Sequence, residues 1–223
     1  MADKIQELRP KIVPLGDRAL LVRFATSLSA EANAAAIGFA QNLADAPPQG
    51  ALEIVPSLVS VQINYDPTQI SGSQLSAELS LRYWGMKAEP SGPARTWKMP
   101  TRFGGAAGPD LEAVANSLEL TVNQFILAHN AAELRILATG FAPGFVYAGF
   151  HEANLQVPRR AKVRDHVSPG SILFAVGQTA IAATPIPTGW HVIGQTDFRN
   201  FDPSMQPPTK LRAGDRLIFE AVS

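Results

Sequence analysis

The chain has 223 residues, 46% of them apolar and 17% charged, with 19 basic residues balanced by 19 acidic ones. That composition fits a globular protein of one large or two modest domains, and the neutral balance, without an arginine-rich run, argues against nucleic acid or an anionic membrane as partner. There is no cysteine, which excludes disulfides, thiolate nucleophiles and cysteine-bound metal; with a polar N-terminus and no apolar run of roughly 20 residues, a cytoplasmic protein is expected.

Residues 12–24, IVPLGDRALLVRF, hold two apolar runs around Gly16 and Asp17, the pattern of a β-hairpin. Ser29 then opens an alanine-rich segment in which Ala36, Ile37, Ala40 and Leu43 recur at helical spacing, and Pro47–Pro48 closes it. Residues 52–67, LEIVPSLVSVQINYDP, read as two strands broken at Pro56–Ser57. In the second, Val59, Val61, Ile63 and Tyr65 alternate with polar residues, so one face is wet. Residues 71–85, SGSQLSAELSLRYWG, place Leu75, Leu79 and Tyr83 on one helical face and end at Gly85. The order ββαββα predicts an α+β fold for residues 1–90, a ferredoxin-like sandwich with both helices on one face of an antiparallel sheet. Ala88–Ala94, AEPSGPA, reads as a linker.

The second domain is placed at 95–223. Residues 108–120 and 121–134 predict two short helices capped by Asp110 and Thr121. After Leu134 the helical period stops. Short apolar runs (LRILATGF, SILFAVG, AIAATPI, WHVIGQT, DRLIFEAV) separated by Gly, Pro and Asp predict a closed or nearly closed β-barrel.

Residues 140–150, GFAPGFVYAGF, raise the question of a site. The glycines at 140, 144 and 149 open the backbone, Pro143 fixes a torsion, and Tyr147 adds a hydroxyl beside Phe141 and Phe145. Two readings stand: a tight corner whose aromatics fill a barrel end, or a rigid loop lining a pocket. Arg159 and Arg164 lie in VPRRAKVRDHVSPGS, which is rich in basic residues and has one acid, Asp165. Two guanidiniums on one turn suit a carboxylate or phosphate, although a solvated charged loop reads the same way. Gln178 and Thr179 offer an amide and a hydroxyl, and the turn at Thr188, Gly189 and Trp190 presents an indole to a pocket or to the core. The histidines at 129, 151, 166 and 191 have no metal-binding spacing, so no metal is expected. His129 and Glu133 pair at i, i+4 if the helix persists that far; otherwise the histidine caps its end. No nucleophile elbow, phosphate loop or dinucleotide fingerprint is present, and catalytic residues stay unassigned.

At GPDL, AHNAAE, GFAPGF-Y-G, PRRAKVR, PGS, GQT, GW--IG-T, FDP and PP--L-AGDRL-F, in that order, the chain resembles a known family. It comprises the B subunit of bacterial ATP-dependent 5-oxoprolinase, proteins labelled allophanate hydrolase subunit 1, and the sporulation-kinase inhibitor of bacilli, and it corresponds to subdomains C and D of a carboxyltransferase domain, as in urea carboxylase. The resemblance spans essentially the whole chain and is strongest from about 108 to 219. It implies an N-terminal α/β domain followed by a cyclophilin-like β-barrel. It also implies a hydrolase subunit that acts with a homologous C-type partner, similar to allophanate hydrolase subunit 2. In the 5-oxoprolinase system these two work with a third subunit to open 5-oxoproline to glutamate using ATP. Among the family's retained residues are His129, Glu133, Gly140, Phe141, Pro143, Gly144, Phe145, Tyr147, Arg159, Arg164, Gln178, Thr179, Gly189, Trp190 and Asp202. Phe141, Pro143, Gly144, Phe145, Tyr147, Arg159, Arg164, Gln178, Thr179, Gly189 and Trp190 are expected to bind substrate, the two guanidiniums and the glutamine sharing one hollow. Departures from the family pattern fall at PGFVYAGFH (143–151), where the family reads PGFPYLGGL, and at Val163, Ala182, Thr188 and Gln195, and they bear on substrate and turnover. The alternative implied by the kinase inhibitor is a regulatory module that docks on a sensor histidine kinase.

Overall fold

The computed structural model describes residues 8–86 and 94–222, and the chain divides into two compact units, residues 1–93 and 94–223. The expected linker falls, but for Ala94, outside the described residues.

In the first unit, β1 (Lys11–Pro14) and β2 (Ala19–Arg23) form the expected hairpin, followed by α1 (Ala30–Asp45), β3 (Ala51–Pro56), β4 (Ser60–Tyr65) and α2 (Gly72–Gly85). The sheet order is β1-β2-β4-β3, antiparallel throughout. This is the ferredoxin-like order βαββαβ with its last strand moved to the front. Ser29 caps α1 through its side chain, and Ser71 with Gln74 builds a full capping box on α2, satisfying amides that a helix start leaves without intrahelical partners. Val22, Val61 and Ile63 of the sheet and Phe39, Leu43, Leu75 and Leu79 of the helices are buried in one core. The alternate residues of β4, Ser60, Gln62 and Asn64, face away from it, as the period-2 pattern requires.

The second unit begins with β5 (Thr96–Phe103), then α3 (Leu111–Ser117) and α4 (Val122–His129). Strands make up the rest: β6 (Leu134–Thr139), β7 (Val146–Gly149), β8 (Arg164–Val167), β9 (Ser171–Ala175), β10 (Gln178–Ile181), β11 (Ile186–Thr188), β12 (His191–Gln195) and β13 (Arg216–Ala221). Seven of the unit's strands close a barrel in the order β10-β7-β6-β13-β5-β12-β9, and β8 pairs with β11 as a separate ribbon. Inside the barrel, Met99, Ile136, Val146, Ile172, Phe174, Ile193 and Phe219 join Phe125 of α4 in one cluster. Outside it, Leu173, Ala180 and Val192 pack with Phe145, Val167, Ile186 and Trp190, so the β8–β11 ribbon covers part of the barrel wall.

The stretch 140–150 forms a tight corner, with its aromatics on the outer wall instead of at a barrel end. Residues 140–145 make the tight connection from β6 to β7, and strand β7 follows directly. Gly144 has φ +70, and a Cβ there would stand 2.6 Å from Cβ of Phe201 and 2.8 Å from Cβ of Ala183, so the close approach and the left-handed backbone both demand glycine.

Candidate functional site

On the outer barrel wall a hollow of about 210 Å³ is lined by Phe141, Phe145, Tyr147, Arg159, Val163, Pro187, Thr188, Gly189 and Trp190. The β6–β7 turn, the basic loop and the β11–β12 turn each contribute one side. Phe145 anchors the aromatic wall, edge-on to Phe141 at 5.5 Å and to Tyr147 at 4.8 Å, and Tyr147 meets Trp190 at 6.0 Å. Edge-to-face contacts of this kind fix ring orientation as well as burying area. Phe141, by contrast, is 72% exposed at the mouth and holds a φ of 74. Arg159 lies with its guanidinium 6.0 Å above the Trp190 ring and has no carboxylate partner among the described residues. Burial raises the Tyr147 phenol above its usual range, opposed by the nearby Arg159, so the hydroxyl stays protonated and can donate.

Arg164 is not in this hollow. Its Nη2 donates to both carboxylate oxygens of Asp110, at 2.9 and 3.0 Å, while Arg160 Nη1 reaches Oδ1 at 2.5 Å. The amide of Val192 donates to Oδ2 at 2.8 Å. Burial pushes the Asp110 carboxyl up, but the Val192 amide and the guanidiniums of Arg164 and Arg160 together outweigh it and hold the group below the ordinary carboxylate range. Asp110 therefore does not cap α3 with its side chain as expected; its carboxylate serves the two arginines instead.

Gln178 and Thr179 also fail to join one hollow, because neighbours on a strand point to opposite faces. Gln178 lies outside the barrel over Gly149, and Thr179 is fully buried inside. There its hydroxyl meets Nε2 of His129 and Nε2 of His151, each at 2.8 Å, and the two imidazoles stand 4.8 Å apart. His129 Nδ1 lies 2.7 Å from Asn130 Oδ1. Assigned from this network, His129 donates from Nδ1 to Asn130, accepts at Nε2 from Thr179, and Thr179 accepts from His151. Burial depresses the His129 pKa to about 4 and that of His151, next to it, to about 3, so both rings are neutral. His129 ends α4, and Glu133 instead binds Arg216 at 3.0 Å, so the i, i+4 pair does not form. Pro143 is exposed in the turn, Gly144 is buried beside it, and Asp202 accepts from the backbone and hydroxyl of Ser204 in a local turn.

The architecture recurs in other proteins. The family model for the carboxyltransferase domain, subdomain C and D, matches residues 10–211. The chain belongs to that family. Its relatives include the 5-oxoprolinase B subunit of Bacillus subtilis (strain 168), 30% identical over 226 residues that cover 97% of this chain and 94% of the relative. The protein of the same name from Escherichia coli O157:H7 is 34% identical over 182 residues, 81% of each chain. Among solved structures, TTHA0988 superposes with a TM-score of 0.81 at 32% identity, over 92% of this chain and 40% of that one, so this chain spans two-fifths of that longer relative. The urea carboxylase of Kluyveromyces lactis shares the fold, with a TM-score of 0.74 at 15% identity over 98% of this chain and 22% of its own.

Four of the departures from the family pattern fall into two groups. Val163 and Thr188 line the hollow, and the Thr188 hydroxyl accepts from the amide of Trp190 at 3.0 Å. Ala182 is buried with the outer-wall cluster, and Gln195 donates to the carbonyl of Pro169 at 2.8 Å. Val163 and Thr188 thus alter the pocket lining. The roles of His151 and Asp110 were not legible in the sequence, where one was an isolated histidine and the other a helix cap, because the partners of each lie far along the chain. Among the described residues no helix is long and apolar enough to cross a membrane, and no group of three or more metal-ligating side chains occurs.

Proposed function

We propose that this chain is the B-type subunit of a cytoplasmic, ATP-dependent amide or lactam hydrolase, with 5-oxoproline the substrate that fits best. The reading has the pocket on the outer barrel wall bind the substrate: Arg159 takes the carboxylate, the Tyr147 and Trp190 donors lie beside the ring, and Phe141 and Phe145 cover its apolar edge. The observation that carries it is the guanidinium of Arg159, without a carboxylate partner among the described residues, over an aromatic wall. A cation beside a low-dielectric surface binds an anion more strongly than one in open water.

Size supports a compact ligand. At about 210 Å³ the hollow lies below the roughly 300–1,000 Å³ of drug-sized sites, which suits a five-membered lactam better than a nucleoside triphosphate. ATP is therefore assigned to the assembled complex. The lining supplies a cation, hydroxyls and backbone, so water addition across the lactam C–N bond needs groups from another chain. A homologous C-type partner, and a third subunit, would provide them. The relatives' designation as B subunits and the larger chain of TTHA0988 beyond the matched two-fifths both support such a partnership. Co-expression with those partners and measurement of glutamate released from 5-oxoproline with ATP tests the reading. Turnover should require the whole assembly. No glutamate from the full complex would reject this substrate.

A further inference from the structure

We propose that Asp110 is the positioning residue of this pocket: it pairs with both Arg160 and Arg164 and ties the basic loop to the start of β12, leaving Arg159 free to bind a substrate carboxylate. The proposal rests on the reading of the pocket given above.

Three arginines, 159, 160 and 164, stand within six positions, and three like charges on one loop repel unless something divides their tasks. Asp110 does so. It is 7% exposed and does not line the hollow, so it acts on a ligand only through its neighbours. One oxygen takes Arg160 and Arg164; the other takes Arg164 and the backbone amide of Val192. Its own amide donates to the Val192 carbonyl at 3.0 Å, so backbone and side chain together lock it to β12. The approach is close: a Cβ on Gly108, two residues earlier, would stand 2.1 Å from the carbonyl oxygen of Ile193. From the other side, the amide of Arg160 donates to the Gly189 carbonyl at 2.7 Å.

The two walls that meet at the mouth are thus joined by this carboxylate as well as by the Arg160–Gly189 backbone bond and the Arg164–Thr188 strand pairing. Arg159 and Val163 belong to the basic loop; Thr188, Gly189 and Trp190 belong to the turn that leads into β12. With both neighbours bound to Asp110, Arg159 points at Trp190 instead of competing for the same anion. Without Asp110, two released guanidiniums would crowd Arg159 and offer wrong sites for the carboxylate.

The test uses the assembled complex with 5-oxoproline as the probe. Asp110→Asn keeps the shape and removes the charge; it should raise KM at least tenfold and lower kcat much less. Arg159→Ala should raise KM by a similar factor. The double variant should be no worse than Arg159→Ala alone, because Asp110 works through that side chain. Amide exchange of Arg160 and Val192 should also quicken at least tenfold in Asp110→Asn, a reading that needs no substrate. If that variant fails to fold, Arg160→Ala with Arg164→Ala removes the same tie from the other side and should also raise KM, by a smaller factor because no released guanidinium then competes for the carboxylate. A KM for Asp110→Asn within twofold of the parent, fully additive losses, or unchanged exchange at Arg160 overturns the proposal and leaves the pocket standing. An unchanged KM in Arg159→Ala overturns the pocket reading itself.

Discussion

Thr179 has one hydroxyl proton and two imidazoles to satisfy, and it is fully buried inside the barrel. Thr179→Val keeps the shape but strands a buried acceptor on His129 and a donor on His151. At about 1–3 kcal/mol for each buried polar group left unpaired, the second unit should lose roughly 2–6 kcal/mol, read from urea denaturation. The same pair makes the fold acid-sensitive. Burial holds His129 at about 4 and His151 at about 3, against 6.5 for an exposed ring. Between those values the unfolded chain binds more protons than the native one, so stability is complete above about pH 6.5 and falls as pH drops toward 4 and 3. His129 alone should account for a loss on the order of 3 kcal/mol by pH 4. Urea midpoints from pH 7.5 to 4 check this, and an equally steep decline in His129→Gln would contradict it. Gly144→Ala tests the β6–β7 turn in the same assay. Its strained φ and its clash with Phe201 and Ala183 should together cost about 2–5 kcal/mol.

At the scale of elements, helices declared themselves because cap and spacing agree within a few residues. The Thr121–Gln124 capping box on α4 is a local feature, and Thr121→Ala should destabilise the second unit by about 1 kcal/mol in thermal denaturation. The hairpin of β1 and β2 and the alternating β4 were legible for the same reason. β5 was not. Lys98, Pro100 and Arg102 interrupt its apolar residues, and a proline argues against an interior strand. The structure removes the conflict: β12 pairs only with Arg102 and Phe103, so the missing N–H at Pro100 has no ladder partner to lose on that side. The site shows the same division. Phe141, Phe145, Tyr147, Arg159, Gly189 and Trp190 line one hollow, and turns rich in glycine and aromatics advertise themselves in a sequence. Gln178 and Thr179 parted because the phase of a strand against its barrel is set by pairing with distant strands. Arg164 left the pocket for an acid 54 positions upstream, which no local pattern reveals.

Across the whole molecule each unit has its own core, but they close differently. The first is an open sheet built from neighbours, whereas the second depends on its last strand. β13 lies between β6 and β5 and pairs in parallel with β5 from Arg216↔Thr96 to Ala221↔Thr101. Its Leu217 and Phe219 are buried in the barrel, and Phe219 stands 5.1 Å from the His129 ring. Asp215, at the entrance to the strand, receives the indole N–H of Trp97 at 3.1 Å and Arg95 at 2.5 Å, pinning the two ends of the unit together. Removing residues 216–223 would therefore open the ring, leave β5 and β6 as unpaired edges, and expose the apolar residues that faced Leu217 and Phe219. None of those contacts belongs to the first unit, whose sheet and helices form a separate cluster. Scanning calorimetry of the truncated chain should accordingly show the cooperative transition of the first unit and lose that of the barrel. The Trp97 emission should shift to the red as its pocket opens. A barrel transition surviving within a few degrees of the intact chain would mean that β5 and β6 close without their shared neighbour, and that the ring is not what holds the candidate site in place.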